Sequence, residues 1–202
     1  MTRSSPFFAY LSRLRWIRRW GLMRNAFEEN VATHSWEVAM IAHALAVIRN
    51  ELFDGQVDAN AVAVAALYHD AAEVITGDMP TPVKYHSSVM RDAFADVEHK
   101  AQAELMGLLP PALRAAFAPC LREQGWSEDQ RVLVKAADRL SAWLKCRAEL
   151  DAGNREFEQA AEQIHRRLSE DPLPEVQYFL KVFAPGYTQT LDHLLAQPSS
   201  TD

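Results

Sequence analysis

Cysteine is scarce. The 202 residues carry two, Cys120 and Cys146. That leaves no disulfide framework and, with no secretory signal evident, suits a reducing cytoplasm. Excess positive charge is missing as well: the net charge is −6, which argues against a nucleic-acid polymer as partner. No apolar run approaches the ~20 residues of a membrane span, so no membrane partner is expected. There is no internal repeat, and no low-complexity segment apart from the polar tail Gln197 to Asp202. Alternating strand patterns and hairpin signals are absent too. What remains is an all-α chain long enough for one domain with a real core. We assign residues 1–196 to a single helical bundle with a core over about 28–150, and 197–202 to the tail.

No acid precedes Glu28, whereas Arg3, Arg13, Arg15, Arg18, Arg19 and Arg24 all do. Such a start can be a transit peptide, a solvated face or a phosphate clamp. Phe7, Phe8, Leu11 and Leu14 have helical spacing and Trp16 and Trp20 interleave with the arginines, which fits a folded amphipathic helix.

The densest chemistry lies in Leu67-Tyr68-His69-Asp70-Ala71-Ala72-Glu73. From Ala59 to Ile75 only His69, Asp70 and Glu73 are ionisable, and Thr76-Gly77 closes the stretch. It reads as one buried helix with a glycine stop, placing His69 and Glu73 on one face at i and i+4. Buried charges are costly unless paired or bound to a metal. An isolated His-Asp pair is equally compatible with a core histidine hydrogen-bonded to an aspartate.

Other elements follow from caps and periodicity. Pro6 to Ile17 reads as a first helix and Arg18 to Phe27 as a loop. Asn30 caps a helix over 31–49, with Val38, Ile41, Leu45 and Ile48 inward. Asp78-Met79-Pro80-Thr81-Pro82 reads as a stiff, non-helical loop. Ser88 caps a helix to Leu108 with Phe94, Val97, Ala101 and Leu105 inward, and Pro110-Pro111 opens another that ends before Pro119. Ser127 and Gln130 form a capping box for a helix reaching Leu150, with Gly153 as its stop and Asp138 within its buried stripe. Further helices are expected over 156–168, 175–183 and 189–195. His34, His69, Asp70 and Asp138 then stand on three helices, and two imidazoles with two carboxylates suit a divalent ion.

The pattern H…HD…D resembles the HD-domain metal-dependent phosphohydrolases, and more closely the bacterial 5′-deoxynucleotidases of that superfamily. The matching stretches are Phe7-Phe8-Ala9, Leu11-Ser12-Arg13-Leu14, Arg19-Trp20, Leu22-Met23-Arg24-Asn25, Glu29-Asn30-Val31, His34-Ser35 and Val38-Ala39-Met40. They continue through His69-Asp70-Ala71, Glu73-Val74, Thr76-Gly77-Asp78, Pro80-Thr81-Pro82-Val83-Lys84-Tyr85 and Lys135-Ala136-Ala137-Asp138, and thin after Gly153. Two positions depart from the family pattern: Thr33 stands where glutamate is usual, and Ala72 where serine is usual.

The resemblance implies hydrolysis of a deoxyribonucleoside 5′-monophosphate with one divalent metal ion (Co, Mn, Zn or similar) on His34, His69, Asp70 and Asp138. It implies Arg19 and Trp20 against phosphate and nucleotide, with Asp70 and Asp138 also meeting substrate. Asp78, Met79, Pro80 and Thr81 would meet the sugar, Glu73 would move protons, and the protein would be a homodimer. From the residues alone, Arg19 can equally be a surface arginine, Trp20 a core anchor and Asp78 a turn residue. Alternatives are a relative acting on a triphosphate or a signalling nucleotide, or a metal-bound nucleotide sensor without catalysis. Pro185-Gly186-Tyr187 is not the Gly-Tyr-Pro signature of the cyclic-dinucleotide branch.

Overall fold

The computed structural model describes residues 4–196, so the expectations placed on Arg3 and on the tail 197–202 lie outside it. Among the described residues there is no strand, only an isolated antiparallel bridge between Arg18 and Asn30.

The centre of the fold is formed by the helices Val31–Leu52, Ala59–Tyr68 and Glu128–Asp151. Helix α1 is the short Phe7–Leu11, continued as a tighter 3₁₀ turn over Ser12–Trp16. Helix α2, Val31–Leu52, starts at Asn30, whose side chain accepts from Thr33 N at 3.0 Å while Thr33 Oγ1 accepts from Asn30 N at 3.3 Å. Thr33 thereby supplies the return bond that glutamate or glutamine usually makes in a capping box. Helix α3 is Ala59–Tyr68, capped by Asp58. Val38, Ile41 and Leu45 of α2 are buried with Val62, Ala65 and Ala66 of α3. Alanines at the contact, Ala42, Ala46, Ala65 and Ala66, let the helices approach closely.

The chain goes on through the single turns α4, Glu73–Thr76, and α5, Thr81–Lys84, then α6, Ser88–Leu108, and α7, Pro111–Leu121. Helix α8, Glu128–Asp151, begins at the Ser127–Gln130 capping box and packs on α2 and α3 through Leu133, Ala136, Ala137 and Leu140. Gly153 takes φ +82° just beyond it, a conformation that favours glycine. Helices α9, Glu158–Ser169, α10, Pro174–Val182, and α11, Leu191–Ala196, complete the order. A second apolar cluster of Phe7, Leu105, Met106, Leu109 and Leu121 holds Ala71, and so pins the turn that carries His69 and Asp70.

Several expectations need correction. The stretch 59–76 is not one helix: α3 ends at Tyr68. Thr81-Pro82 is helical, because proline fits the first turn, where its missing N–H would be unbonded anyway. Ser87, not Ser88, caps α6, and Val97 is exposed. Pro119 lies inside the last turn of α7, where losing one N–H breaks a single bond near the end. Helix α2 is also long and apolar enough by composition to cross a membrane. Its apolar residues occupy two faces, the inner stripe in the core and Trp36, Met40 and Val47 outside.

Candidate active site

From Tyr68 the helical bonding tightens. Ala71 N bonds to Tyr68 O and Glu73 N to Asp70 O, each at 3.0 Å, so the chain passes through three-residue bonds before α4. That winding advances each residue further around the axis than an α-helix does, and the expected i, i+4 alignment of His69 with Glu73 does not hold. Gly77 ends α4 at φ +72°, as a glycine stop should.

The turn aims His69. Its Nδ1 lies 2.7 Å from the carbonyl oxygen of Ala66. A carbonyl only accepts, so Nδ1 carries the hydrogen and the Nε2 lone pair is free. Asp70 Oδ2 is 3.1 Å from that Nε2 and 3.7 Å from His34 Nε2, and His34 comes from the first turn of α2. Suitable ligand atoms of His34, His69 and Asp70 lie within 4.8 Å of one another. Asp138, on α8, stands at the edge of this group, with Oδ1 3.1 Å from His34 Nε2 and its side chain 43% exposed.

Both Nε2 atoms are buried without a hydrogen-bond partner. Each stands close to carboxylate oxygens, His69 Nε2 3.1 Å from Asp70 and His34 Nε2 3.1 Å from Asp138 and 3.7 Å from Asp70, in an arrangement where one cation could bridge them. The local charge says the same. Glu29, Asp70, Glu73, Asp78 and Asp138 surround the single guanidinium of Arg19. Burial opposes ionisation of Asp70, but His69, His34 and Arg19 together hold it well below the usual carboxylate range. Asp138 is likewise lowered against burial, chiefly by its contact with His34. His34 is pushed up to about 9, because Asp138 and Glu29 outweigh its burial. Two buried imidazoles among several carboxylates fit a divalent ion.

Arg19 and Trp20 arrive on a loop pinched at its neck, where Val31 N bonds to Ile17 O and Arg19 N to Glu29 O, both at 3.0 Å. Arg19 is largely buried; its Nη1 is 3.4 Å from Asp70 Oδ2, and its Nε is 3.7 Å from Glu29 Oε2. It remains cationic, since the surrounding acids outweigh burial. Arg19 is therefore no solvated surface arginine.

Trp20 adopts φ +58°, a strained value for a bulky residue. Its Nε1 donates to Glu29 Oε2 at 2.7 Å and its ring packs 5.3 Å from Phe157. The anchoring reading of Trp20 thus holds for one edge of the ring.

Glu73 has a buried Oε2 with no hydrogen-bond partner. Burial, with Asp70 and Asp78 close by, pushes its carboxyl up to about 9 against Arg19 and Lys84. Asp78 is raised by burial and lies in the field of Arg19 and Asp70. Met79 and Pro80 are half-buried behind it, and Thr81 is exposed at the start of α5.

The sequence reading missed Glu29 and Ser141. Glu29 contacts Trp20, Arg19 and His34 at once, its Oε1 3.3 Å from His34 Nδ1. Its place five residues before His34 was the available signal. Ser141 Oγ is 3.2 Å from the same Nδ1. It lies one helical step beyond Asp138 on α8, a spacing readable only once Asp138 is placed.

The chain is similar to known proteins over nearly its whole length. The 5′-deoxynucleotidase of Cronobacter sakazakii is 49% identical over 190 residues, 94% of this chain and 96% of its own length. The 5′-deoxynucleotidase YfbR of Salmonella arizonae is 47% identical over 192 residues, 95% of this chain and 96% of its own. Among solved structures, an HD-domain phosphohydrolase from Listeria innocua matches with TM-score 0.79 at 25% identity, over 90% of this chain and 87% of that one. A cyanophage S-2L HD phosphohydrolase, solved with dA and one catalytic Zn²⁺ ion, shares the fold with TM-score 0.61 at 24% identity, over 93% of this chain and 97% of that one. The model of the 5′-deoxynucleotidase YfbR-like family matches residues 6–187, and to that family this chain belongs.

Proposed function

We propose that this chain hydrolyses deoxyribonucleoside 5′-monophosphates to deoxynucleoside and phosphate, using one divalent metal ion held by His34, His69, Asp70 and Asp138. One observation carries the reading: two buried imidazole nitrogens without hydrogen-bond partners face the carboxylate of Asp70. Two imidazoles and two carboxylates suit an ion of the Co, Mn or Zn kind. Bound there, such an ion would supply positive charge beside the phosphate and lower the pKa of an attacking water.

The chain's own groups do the rest. The phosphate of an incoming nucleotide meets Arg19, whose guanidinium can take two oxygens and stabilises the charge that grows on them. Glu29 holds Arg19 and Trp20 in place from behind. Glu73, kept protonated by burial and its acidic neighbours, hands its proton to the leaving 5′ oxygen. Trp20 borders the nucleotide, and Asp78, Met79, Pro80 and Thr81 border the sugar. Pro80 and Pro82 restrict that segment, so a 2′-hydroxyl meets a wall that does not yield. A site that only sensed nucleotides would have no use for a carboxyl prepared in this way.

The described chain works as one domain, and we place it in the cytoplasm, where both cysteines, free in the fold, stay reduced. It pairs as a homodimer. The outer face of α2 supports this: Trp36, Met40, His43 and Val47 follow a four-three-four spacing, and Trp36 and Met40 are 62% and 58% exposed. That is the period of a helix–helix seam.

Phosphate release from matched deoxy- and ribonucleoside monophosphates, measured with each of several divalent metals, tests the assignment. Turnover confined to deoxynucleoside monophosphates is expected. Preference for triphosphates or for signalling nucleotides would move the chain to another branch of the HD phosphohydrolases.

A further inference from the structure

His69 and His34 present Nε2 in the same manner but are held differently. Behind His69 stands a backbone carbonyl, which can only accept. Behind His34 stands the hydroxyl of Ser141, at 3.2 Å, which can either accept or donate. If Ser141 donated to Nδ1, the ring hydrogen would move to Nε2 and block the lone pair that a metal needs.

A third group decides the direction. The Ser141 hydroxyl donates to Glu37 Oε2 at 2.6 Å, a length typical of a hydroxyl on a carboxylate. With its only hydrogen committed to Glu37, Ser141 must accept from His34. Glu37 lies on α2 three residues beyond His34, half-buried, and its other charged or titratable neighbours are Glu29 and Tyr187. Ser141 is fully buried.

We propose that Glu37 is a positioning residue for the metal centre: acting through Ser141, it fixes the hydrogen of His34 on Nδ1 and so keeps Nε2 open as a ligand. Glu37 touches neither metal nor substrate. The inference rests on His34 being a metal ligand. Glu29 Oε1, at 3.3 Å from Nδ1, favours the same tautomer, so loss of the relay weakens the site without abolishing it.

The test is equilibrium competition for Co²⁺ or Zn²⁺ between the full-length protein and a chromophoric chelator, without substrate. Partners of metal-bound histidines typically contribute about 10–100-fold in affinity. Ser141→Ala and Glu37→Leu, which leaves the Ser141 hydroxyl no acceptor at residue 37, should each weaken binding, toward about tenfold because Glu29 remains. The double variant should bind no more weakly than Ser141→Ala alone, since Glu37 acts only through that hydroxyl. Ser141→Thr, which keeps the hydroxyl, should restore affinity. Metal-free melting temperatures serve as the control, because a merely structural role would lower them and leave metal affinity intact. Should the Ser141 variants not fold, Glu37→Leu decides alone. Unchanged affinity in Glu37→Leu, or additive losses in the double variant, would overturn the relay while wild type still binds metal. A wild type that binds no metal would overturn both the relay and the metal-centre reading.

Discussion

Glu149 offers a quantitative test of what holds the Arg19–Trp20 loop. Its side chain is fully buried near the end of α8. It accepts from Ala26 N at 2.7 Å, Phe27 N at 2.9 Å, Asn154 Nδ2 at 2.7 Å, and Lys145 Nζ. Lys145 also donates to the carbonyl of Phe27, so one buried ion pair clamps both polar groups of that residue. Burial opposes the carboxylate, but Lys145, Ala26 N–H, Asn154 and Phe27 N–H pull its pKa down to about 2.

Against an ordinary value of 4.5, at about 1.4 kcal/mol per pH unit, the ionised form contributes about 3 kcal/mol to folding. Glu149→Gln keeps the shape, loses the charge and strands Lys145. The expected loss near neutral pH is about 3 kcal/mol, or about 6–12 °C in Tm for a domain of this size. The folded pKa is depressed, so this stability is present above the unfolded carboxyl value and disappears as pH falls from about 4.5 toward 2. Urea unfolding of both proteins at pH 7 and near pH 3 should show a wide gap that narrows on acidification. A loss below about 0.5 kcal/mol, within the range of ordinary surface substitutions, or a gap independent of pH, would refute the clamp.

Other perturbations separate the roles within the site. Asp70→Ala and Asp138→Ala should each remove metal and activity together, and full metal occupancy in purified protein would exclude that residue as a ligand. Glu73→Gln should keep metal and bind deoxynucleotide while single-turnover phosphate release falls by about 10²–10⁴-fold; near-normal release with intact metal would remove Glu73 from the chemistry. Asp78→Ala should lose deoxynucleotide turnover and narrow a sugar preference that shape alone can set at about a hundredfold; an unchanged ratio of kcat/KM values places sugar discrimination elsewhere.

The elements legible in the sequence are those whose cause is local. The Asn30 and Ser127 caps and the stops at Gly77 and Gly153 each depend on a few adjacent residues, and the structure has them all. The break after Tyr68 was not legible, because Ala71 and Ala72 are good helix formers and the tightening comes with Ala71 buried against Phe7 and Leu105. Val97 follows the helical period yet faces outward, since nothing in its own segment tells which side the neighbouring helices cover. For the site, the likeness to the phosphohydrolases singled out His34 and Asp138, which spacing alone could not distinguish from the other histidines and acids. Glu37 and Ser141 were not legible because their meaning depends on a contact between α2 and α8 more than 100 residues apart in the chain; Glu29 contacts residues close in sequence, but nothing before the fold shows which way its side chain turns.

Phosphate release from a deoxyribonucleoside 5′-monophosphate, followed before and after complete metal removal and again after a single divalent ion per site is restored, tests the central claim most directly. The account predicts that turnover vanishes with the metal and returns in proportion to the ion bound. Equal turnover by metal-free protein in excess chelator would contradict it.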